Sequence, residues 1–147
     1  MMNPVQQWQA QWIWYAGRSW TVNYHFLARK AFDLAGAVQS AALHISAYTD
    51  YQVYINGTFV GRGPHPCDPA WQSYDSYDVS HLLRPGRNVI GAIAHNTGIG
   101  THWQHRGRGG LIAQLEIETG AGRQVIATDG TWRVREGTAW SLLAPRM

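Results

Sequence analysis

The residues best suited to chemistry are concentrated in one short segment. Residues 95–110 read HNTGIGTHWQHRGRGG, and they include three histidines, one tryptophan, two arginines and five glycines. Histidines can bind a metal, a glycine- and arginine-rich loop can bind a phosphate, and a tryptophan beside polar groups can bind a sugar. The spacing of these residues indicates which of the three ligands, a metal, a phosphate or a sugar, is the best candidate.

The spacing disfavours a metal site. His102 and His105 form an H-x-x-H pair with His95 upstream, but the surrounding glycines prevent the helical turn that suits this pair. No cysteine or carboxylate in the segment completes a zinc site. A structural calcium ion needs six or more oxygen ligands, for which Asp68 and Asp75 are the only candidates. We therefore expect no metal or other cofactor, with structural calcium as the remaining alternative.

Phosphate and nucleic acid are also disfavoured. Neither residues 107–110 nor residues 61–63 lead into a helix, and neither matches the P-loop pattern. The sequence RGRGG, at residues 106–110, resembles an RNA-binding segment but occurs once. Lys and Arg exceed Asp and Glu by only 12 − 9 = 3, and they are scattered along the chain. We therefore expect no nucleic-acid partner.

One pair of carboxylates has the spacing of a glycosidase acid pair. On a strand, Glu116 and Glu118 would face the same side roughly 7 Å apart, which is inside the range for such pairs. Nothing in the sequence gives one of them the apolar surroundings of a general acid. We therefore interpret them as part of a solvated strand face and predict no catalytic residue.

Contact with a carbohydrate or with another protein is the remaining chemistry. Trp103 could stack on a sugar while its polar neighbours bind the hydroxyl groups. Residues 63–77, GPHPCDPAWQSYDSY, offer a second aromatic and polar loop. The candidate contact residues in the two loops are Trp103, His102, Arg106, His105, Trp71, Tyr74 and His65. Domain docking, direct sugar contact and packing within the loops are the three interpretations of this set.

The elements that position these loops are predicted to be short β-strands. ALHISA at residues 42–47 and YQVYI at residues 51–55 alternate apolar and polar side chains. Asn56-Gly57 follows and predicts a tight hairpin, because both turn positions need positive φ. Further strands are predicted over residues 24–32, 88–95, 110–118, 124–128 and 132–135, and one helical turn over residues 78–83. This pattern predicts an all-β, jelly-roll sandwich of antiparallel strands with at most short helical turns.

Composition places the chain among globular proteins of one domain, residues 1–147. Its length allows a buried core, and 45% of its residues are apolar. Cys67 is the only cysteine, so an internal disulfide is impossible. The N-terminus shows no signal peptide, and no apolar stretch reaches the roughly 18 residues of a membrane helix. We therefore expect a cytoplasmic protein without a membrane partner.

The order of short motifs along the chain gives a further indication. They are WIW at 12–14, SAALHISA at 40–47, YQVYING at 51–57, VG at 60–61, YDVS at 77–80, GRNVIG at 86–91 and TDGTW at 128–132. Together they resemble the N-terminal β-sandwich domain of bacterial α-L-rhamnosidases, a galactose-binding-like jelly roll. The resemblance covers residues 12–135. Much of the motif set is explained by turn chemistry, since Asn56-Gly57 sets a hairpin and Asp78 caps a turn.

The resemblance implies a non-catalytic accessory domain of a glycoside hydrolase. In that family the catalytic acids lie in a later helical barrel, and 147 residues hold only the sandwich. The expected function is to support carbohydrate recognition and to dock to the catalytic domain. The expected partners are a rhamnoside-type carbohydrate and that domain. The alternatives are a stand-alone carbohydrate-binding module and a purely structural domain without ligand affinity.

Overall fold

A computed structural model describes residue 5 and residues 7–100 and 107–140. The strands are β1 (Tyr24–Leu34), β2 (Val38–Ala47), β3 (Asp50–Ile55), β4 (Thr58–Gly63), β5 (Asp75–Asp78), β6 (Gly86–Asn96), β7 (Leu111–Thr119), β8 (Gly122–Ala127) and β9 (Arg133–Glu136). Two single 3-10 turns, Pro69–Trp71 and Ser80–Leu82, are the helical segments of this part of the chain. The predicted strands are therefore found, with small shifts at their ends.

The strands form two antiparallel sheets that pack as a sandwich. The order is β4-β3-β6-β1-β9 in the five-stranded sheet and β5-β2-β7-β8 in the four-stranded sheet. Consecutive strands change sheet at every connection except the β3–β4 and β7–β8 hairpins, as in a jelly roll. The predicted all-β sandwich is confirmed.

The core lies between the inner faces of the two sheets. Every second residue of the central strands points inward, as the alternation predicts. The fully buried inward residues include Leu43, Ile45, Tyr51, Val53, Ile55, Leu115 and Ile117. Tyr51 is the unusual member, because its buried ring carries a hydroxyl that needs a partner.

One end of the sandwich, which we call the hairpin end, is fixed by two asparagines. Asn56 and Gly57 take φ values of 50° and 81° in the predicted β3–β4 turn. The Asn56 side chain donates to the side-chain oxygen of Asn88 at 2.9 Å. Asn88 is fully buried and also donates to the backbone oxygen of Arg84 at 2.7 Å. These bonds tie the hairpin to the start of β6.

The helical turn that follows β5 lies at the same end. The Asp78 carboxylate accepts hydrogen bonds from the amide of Ser80 at 3.0 Å and from its hydroxyl at 2.7 Å. The Ser80 hydroxyl in turn accepts from the amide of Ala41 in β2 at 2.8 Å. The predicted helical turn is therefore confirmed and is joined to the four-stranded sheet, but Val79 and not Asp78 occupies its N-cap position, and Asp78 instead binds Ser80 from one residue earlier.

The outer face of the four-stranded sheet differs from the sequence prediction. The alternation of residues 42–47 places His44 and Ser46 on the polar face of the strand, yet both are buried. The N-terminal segment, residue 5 and residues 7–12, covers this face. Gln114 on β7 accepts hydrogen bonds from the amide of Gln9 at 2.7 Å and donates to the backbone oxygen of Gln7 at 3.0 Å. The sheet is thus covered by a segment that lacks regular secondary structure.

Candidate functional site

The loops that carry the candidate contact residues leave the same end of the sandwich, which we call the loop end. In the sheet registers Tyr51 lies opposite Gly63, where β4 ends, and Ala47 lies opposite Leu111, where β7 begins. Asp50 lies opposite His95 near the end of β6. The loops between β4 and β5 and between β6 and β7 therefore start side by side, although they are distant in sequence.

The predicted contact residues have different positions. His102, Trp103, His105 and Arg106 lie outside the residues that the structure describes. Trp71 ends the first 3-10 turn and is 82% exposed. His65 is also exposed, at the rim of a pocket described below.

Tyr74 has a structural contact that the sequence did not indicate. Its ring makes edge-to-face contacts with Trp8 at 5.2 Å and with His44 at 5.9 Å between ring centroids. Its hydroxyl accepts from the amide of Val5 at 3.4 Å. Tyr74 thus anchors the N-terminal segment, whereas Trp71 and His65 face solvent.

Three further tryptophans lie at the loop end, and the sequence analysis did not select them. Trp20 is 66% exposed, and the neighbouring backbone oxygen of Ser19 accepts from the amide of Gly109 in the β6–β7 loop. Trp12 stacks on Tyr48 of the β2–β3 connection, with 4.7 Å between centroids. Trp140 follows β9 and stacks on His25. The high tryptophan content was the available signal, but it does not show where the rings meet.

Two histidines stack beneath Trp140. The ring of His25 lies between His95, at 4.3 Å, and Trp140, at 4.4 Å. Nδ1 of His95 lies 3.0 Å from a carboxylate oxygen of Asp50. Burial, and then the neighbouring His95, lower the pKa of His25. The folded domain therefore favours the neutral form of His25.

A polar pocket of about 470 Å³ opens at the loop end between β3, β4 and β5. We call it the β3–β4–β5 pocket, and it is lined by Asp50, Tyr51, Gln52, Arg62, Gly63, Pro64, His65 and Asp75. The Tyr51 hydroxyl donates to the Asp75 carboxylate at 2.5 Å and lies 2.9 Å from the Tyr77 hydroxyl. Burial and these hydrogen bonds raise the pKa of Tyr51, so it remains a protonated donor.

The other candidate chemistries find no assembled site in the described part of the chain. No group of three or more His, Cys, Asp or Glu side chains there is placed to hold a metal ion. Asp68, proposed with Asp75 as a calcium candidate, accepts from the amide of Ala70. Among the same residues, no helix is long and apolar enough to cross a membrane.

The two carboxylates on β7 lie away from the loop end. Glu116 and Glu118 share Arg123 of β8, with nitrogen–oxygen distances of 3.4 Å and 3.8 Å. Glu116 also accepts a hydrogen bond from Gln114 at 2.9 Å. The pair belongs to a network of strand-face side chains and lines none of the pockets described here.

Comparison with known proteins identifies the family. Residues 36–141 match the family model described as "Alpha-L-rhamnosidase N-terminal domain". The chain belongs to this family. An α-L-rhamnosidase of Streptomyces avermitilis is 34% identical in an alignment of 113 residues that covers 68% of this chain and 11% of that protein. An α-L-rhamnosidase of Formosa agariphila is 30% identical in an alignment of 119 residues that covers 71% of this chain and 13% of that protein.

Solved structures agree with this assignment. The GH78 family rhamnosidase of Bacillus sp. GL1 matches with a TM-score of 0.80 and 40% identity, over 90% of this chain and 14% of that chain. A Pleurotus ostreatus lectin shares the fold, with a TM-score of 0.67 and 23% identity over 94% of this chain and 38% of that chain. The resemblance to rhamnosidase N-terminal domains is confirmed. This rhamnosidase N-terminal domain spans 11–13% of the length of the curated relatives named above.

Proposed function

We propose that this chain is a non-catalytic accessory domain of an α-L-rhamnosidase-type glycoside hydrolase, and that its loop end supports carbohydrate recognition. The observation that carries this proposal is the set of exposed tryptophans at that end, Trp12, Trp20, Trp71 and Trp140. Indole rings left in water are typical of surfaces that stack on sugars or bind another protein. The polar β3–β4–β5 pocket lies at the same end and supplies hydrogen-bonding groups.

The non-catalytic part of the proposal is supported by the ion pairs of the two β7 carboxylates. Glycoside hydrolysis needs a carboxyl group that stays protonated beside a second that is ionised. Glu116 and Glu118 instead both pair with Arg123 on a strand face, and neither has the apolar surroundings of a general acid. The catalytic acids are proposed to lie in another part of the parent enzyme.

A second surface supports docking to the rest of that enzyme. The outer face of the five-stranded sheet carries a groove of about 560 Å³, whose apolar lining includes Leu27, Tyr54 and Ile93. The arginines that border it are Arg29, Arg133 and Arg135. The N-terminal segment covers the opposite sheet, whereas no described segment covers this one. Because the relatives extend far beyond the matched region, the proposed occupant is an acidic, partly apolar surface of the same enzyme.

Titration of the purified chain with methyl α-L-rhamnopyranoside, followed by tryptophan fluorescence and calorimetry, tests the carbohydrate role. We expect saturable binding that Trp71→Ala weakens about tenfold, equal to about 1.4 kcal/mol. Phe59→Ala is the matched control, because Phe59 is also exposed but follows the hairpin turn at the opposite end. Absence of binding to every sugar of a panel would remove the carbohydrate role. Hydrolysis of an aryl rhamnoside by the purified chain would refute the non-catalytic assignment.

Docking is tested with the Bacillus sp. GL1 enzyme from which the matching 14% has been removed. We expect the purified chain to associate with this truncated enzyme in size-exclusion chromatography. Ile93→Asp should abolish the complex, because it places a carboxylate in the centre of the apolar groove. Ala121→Asp, in the exposed β7–β8 turn, should leave the complex intact. A complex that survives Ile93→Asp would place the docking surface elsewhere.

A further inference from the structure

We infer that the β3–β4–β5 pocket is where the loop end binds its sugar, and that it takes one neutral monosaccharide unit with neighbouring free hydroxyl groups. Arg62, His65 and Asp75 are the residues assigned to binding. This inference rests on the proposed carbohydrate role and adds to it a site and a ligand class. It adds to the exposed tryptophans a group of polar side chains, of which Arg62 lies on β4, Asp75 on β5 and His65 in the loop between them.

The size and place of the pocket fit a single sugar ring. Its volume of about 470 Å³ lies within the range of roughly 300–1,000 Å³ found for small-molecule sites. It lies at the loop end between β4 and β5, each of which is an edge strand of its sheet. One wall comes from β3 and β4 and the other from Asp75 of β5, so a ligand would contact both sheets.

The charges around the pocket favour a neutral ligand. Asp50 and Asp75 supply two carboxylates, and Arg62 supplies one guanidinium. A phosphate group would be repelled by the carboxylates, and a metal cation would be repelled by the guanidinium. Hydroxyl groups can donate to carboxylates and accept from arginine at the same time, so neighbouring hydroxyls match the mixed lining.

Hydrogen-bonding capacity is left unused at the pocket. The side chains of Arg62 and His65 line the pocket and have no hydrogen bond or ion pair within the described part of the chain. Gln52 accepts from the Tyr54 hydroxyl at 3.1 Å, which leaves its side-chain N–H groups available. Only one carboxylate oxygen of Asp75 accepts from Tyr51, and the second oxygen has no partner in the same part of the chain. Several donors and acceptors therefore converge on one volume.

Asp75 is held in a place that packing alone would not select. It occupies an inward-facing position of β5, opposite Ile45, and accepts a hydrogen bond from the buried Tyr51, whose hydroxyl also lies 2.9 Å from that of the partly buried Tyr77. An apolar residue at such a position would cost less desolvation. Two glycines of β4 make the arrangement possible: a Cβ at Gly63 would overlap the Asp75 carboxylate, and one at Gly61 would approach the Tyr77 hydroxyl to 2.5 Å. The strand is thus shaped around a preorganised carboxylate.

Calorimetry and ¹H–¹⁵N NMR of the full chain with methyl α-L-rhamnopyranoside test the assignment. Methyl glycosides of glucose, galactose and mannose, inorganic phosphate and Ca²⁺ complete the set of probes. We expect chemical-shift changes at the amides of Gln52, Gly63 and His65, and a Kd at least tenfold higher in Arg62→Ala and in Asp75→Asn. Arg87→Ala is the matched control, since its exposed ion pair with Asp33 lies at the hairpin end.

The outcomes separate the pocket from the broader proposal. Sugar binding that Trp71→Ala removes but Arg62→Ala leaves unchanged would overturn the pocket and keep the carbohydrate role. No binding to any of the glycosides would overturn both. Binding of phosphate or Ca²⁺ at these amides, with no sugar binding, would overturn the ligand class. Arg62 is exposed, so its removal tests the pocket even if Asp75→Asn disturbs the fold.

Discussion

Replacement of Gln114 by leucine should release the N-terminal segment from the four-stranded sheet. The Gln114 side chain is fully buried, and its oxygen accepts from the amides of Gln9 at 2.7 Å and Ala10 at 3.2 Å. Its nitrogen donates to the backbone oxygen of Gln7 at 3.0 Å. Leucine has a similar size and can make none of these three bonds, so the substitution removes the polar attachment with little change in volume.

The expected destabilisation is about 2 kcal/mol. A net hydrogen bond contributes about 0.5–1.5 kcal/mol, so three bonds set a range of about 1.5–4.5 kcal/mol. The lower half of that range applies because Gln7 and Gln9 are exposed, and water can replace their lost backbone partners. For a chain of this length about 2 kcal/mol corresponds to a decrease in Tm of roughly 4–8 °C.

Thermal unfolding followed by circular dichroism measures this effect in two backgrounds. In the full chain, Gln114→Leu should lower the Tm, while Gln39→Leu at an exposed position of β2 should leave it within about 2 °C. In a chain that begins at Gln11, the same Gln114→Leu should cost less, at most about 1 kcal/mol, because the segment is already missing and only the bond to Glu116 remains to be lost. An equal loss of stability in both backgrounds would refute the role of the N-terminal segment.

Two further predictions concern stability. Burial lowers the pKa of His44 below its usual 6.5, so the unfolded chain binds more protons than the folded one, and stability should fall as the pH drops below about 6.5. Measurements of Tm from pH 8 to pH 5 should show this decrease. The pH dependence should be weaker in His44→Gln and unchanged in His81→Gln, a control at an exposed position. Asn88→Ala should cost about 3 kcal/mol in urea unfolding, because it removes a partner of the Asn56 side chain and of three backbone groups of Arg84 and Gly86. A wild-type-like pH profile in His44→Gln, or a loss below about 1 kcal/mol in Asn88→Ala, would contradict the reasoning.

The strands and the hairpin turn could be predicted because their signals are local. Alternation along β2, β3 and β7 gives the inward residues directly, and Asn56-Gly57 encodes its turn in two adjacent residues. The bond between Asn56 and Asn88 could not be predicted, since it joins side chains 32 residues apart. The role of Asn88 is therefore visible only in the folded structure, where the two asparagines hold the hairpin end together.

The sequence gives no comparable local signal that the N-terminal segment covers the outer face of β2. His44 and Ser46 follow the polar half of an alternating pattern, and that pattern is the same whether water or protein faces it. The covering N-terminal segment has neither helical nor strand periodicity, and its bonds to Gln114 span more than 100 residues. A polar residue in an alternating strand is therefore a weak predictor of exposure.

Part of the candidate site could likewise be predicted from neighbouring residues in the sequence, and part of it depends on contacts between distant segments. Trp71 and His65 could be selected from the composition of their loop, and so could the loop that contains Trp103. Arg62 and Gln52 read as ordinary polar strand residues. Only the β3–β4 register, which places Gln52 opposite Arg62 and Tyr51 opposite Gly63, brings them to a pocket beside Asp75.

The two ends of the sandwich therefore differ in how freely their residues can change. At the hairpin end, buried Asn88 has four side-chain hydrogen bonds, so a substitution there affects the fold before it affects any ligand. At the loop end, Arg62, His65 and Trp71 are exposed, and little of the core depends on them. Surface substitutions of this kind usually change stability by less than about 0.5 kcal/mol. Loss of sugar binding in Arg62→Ala or Trp71→Ala can thus be attributed to the contact itself, which makes the loop end the place where binding and folding can be separated.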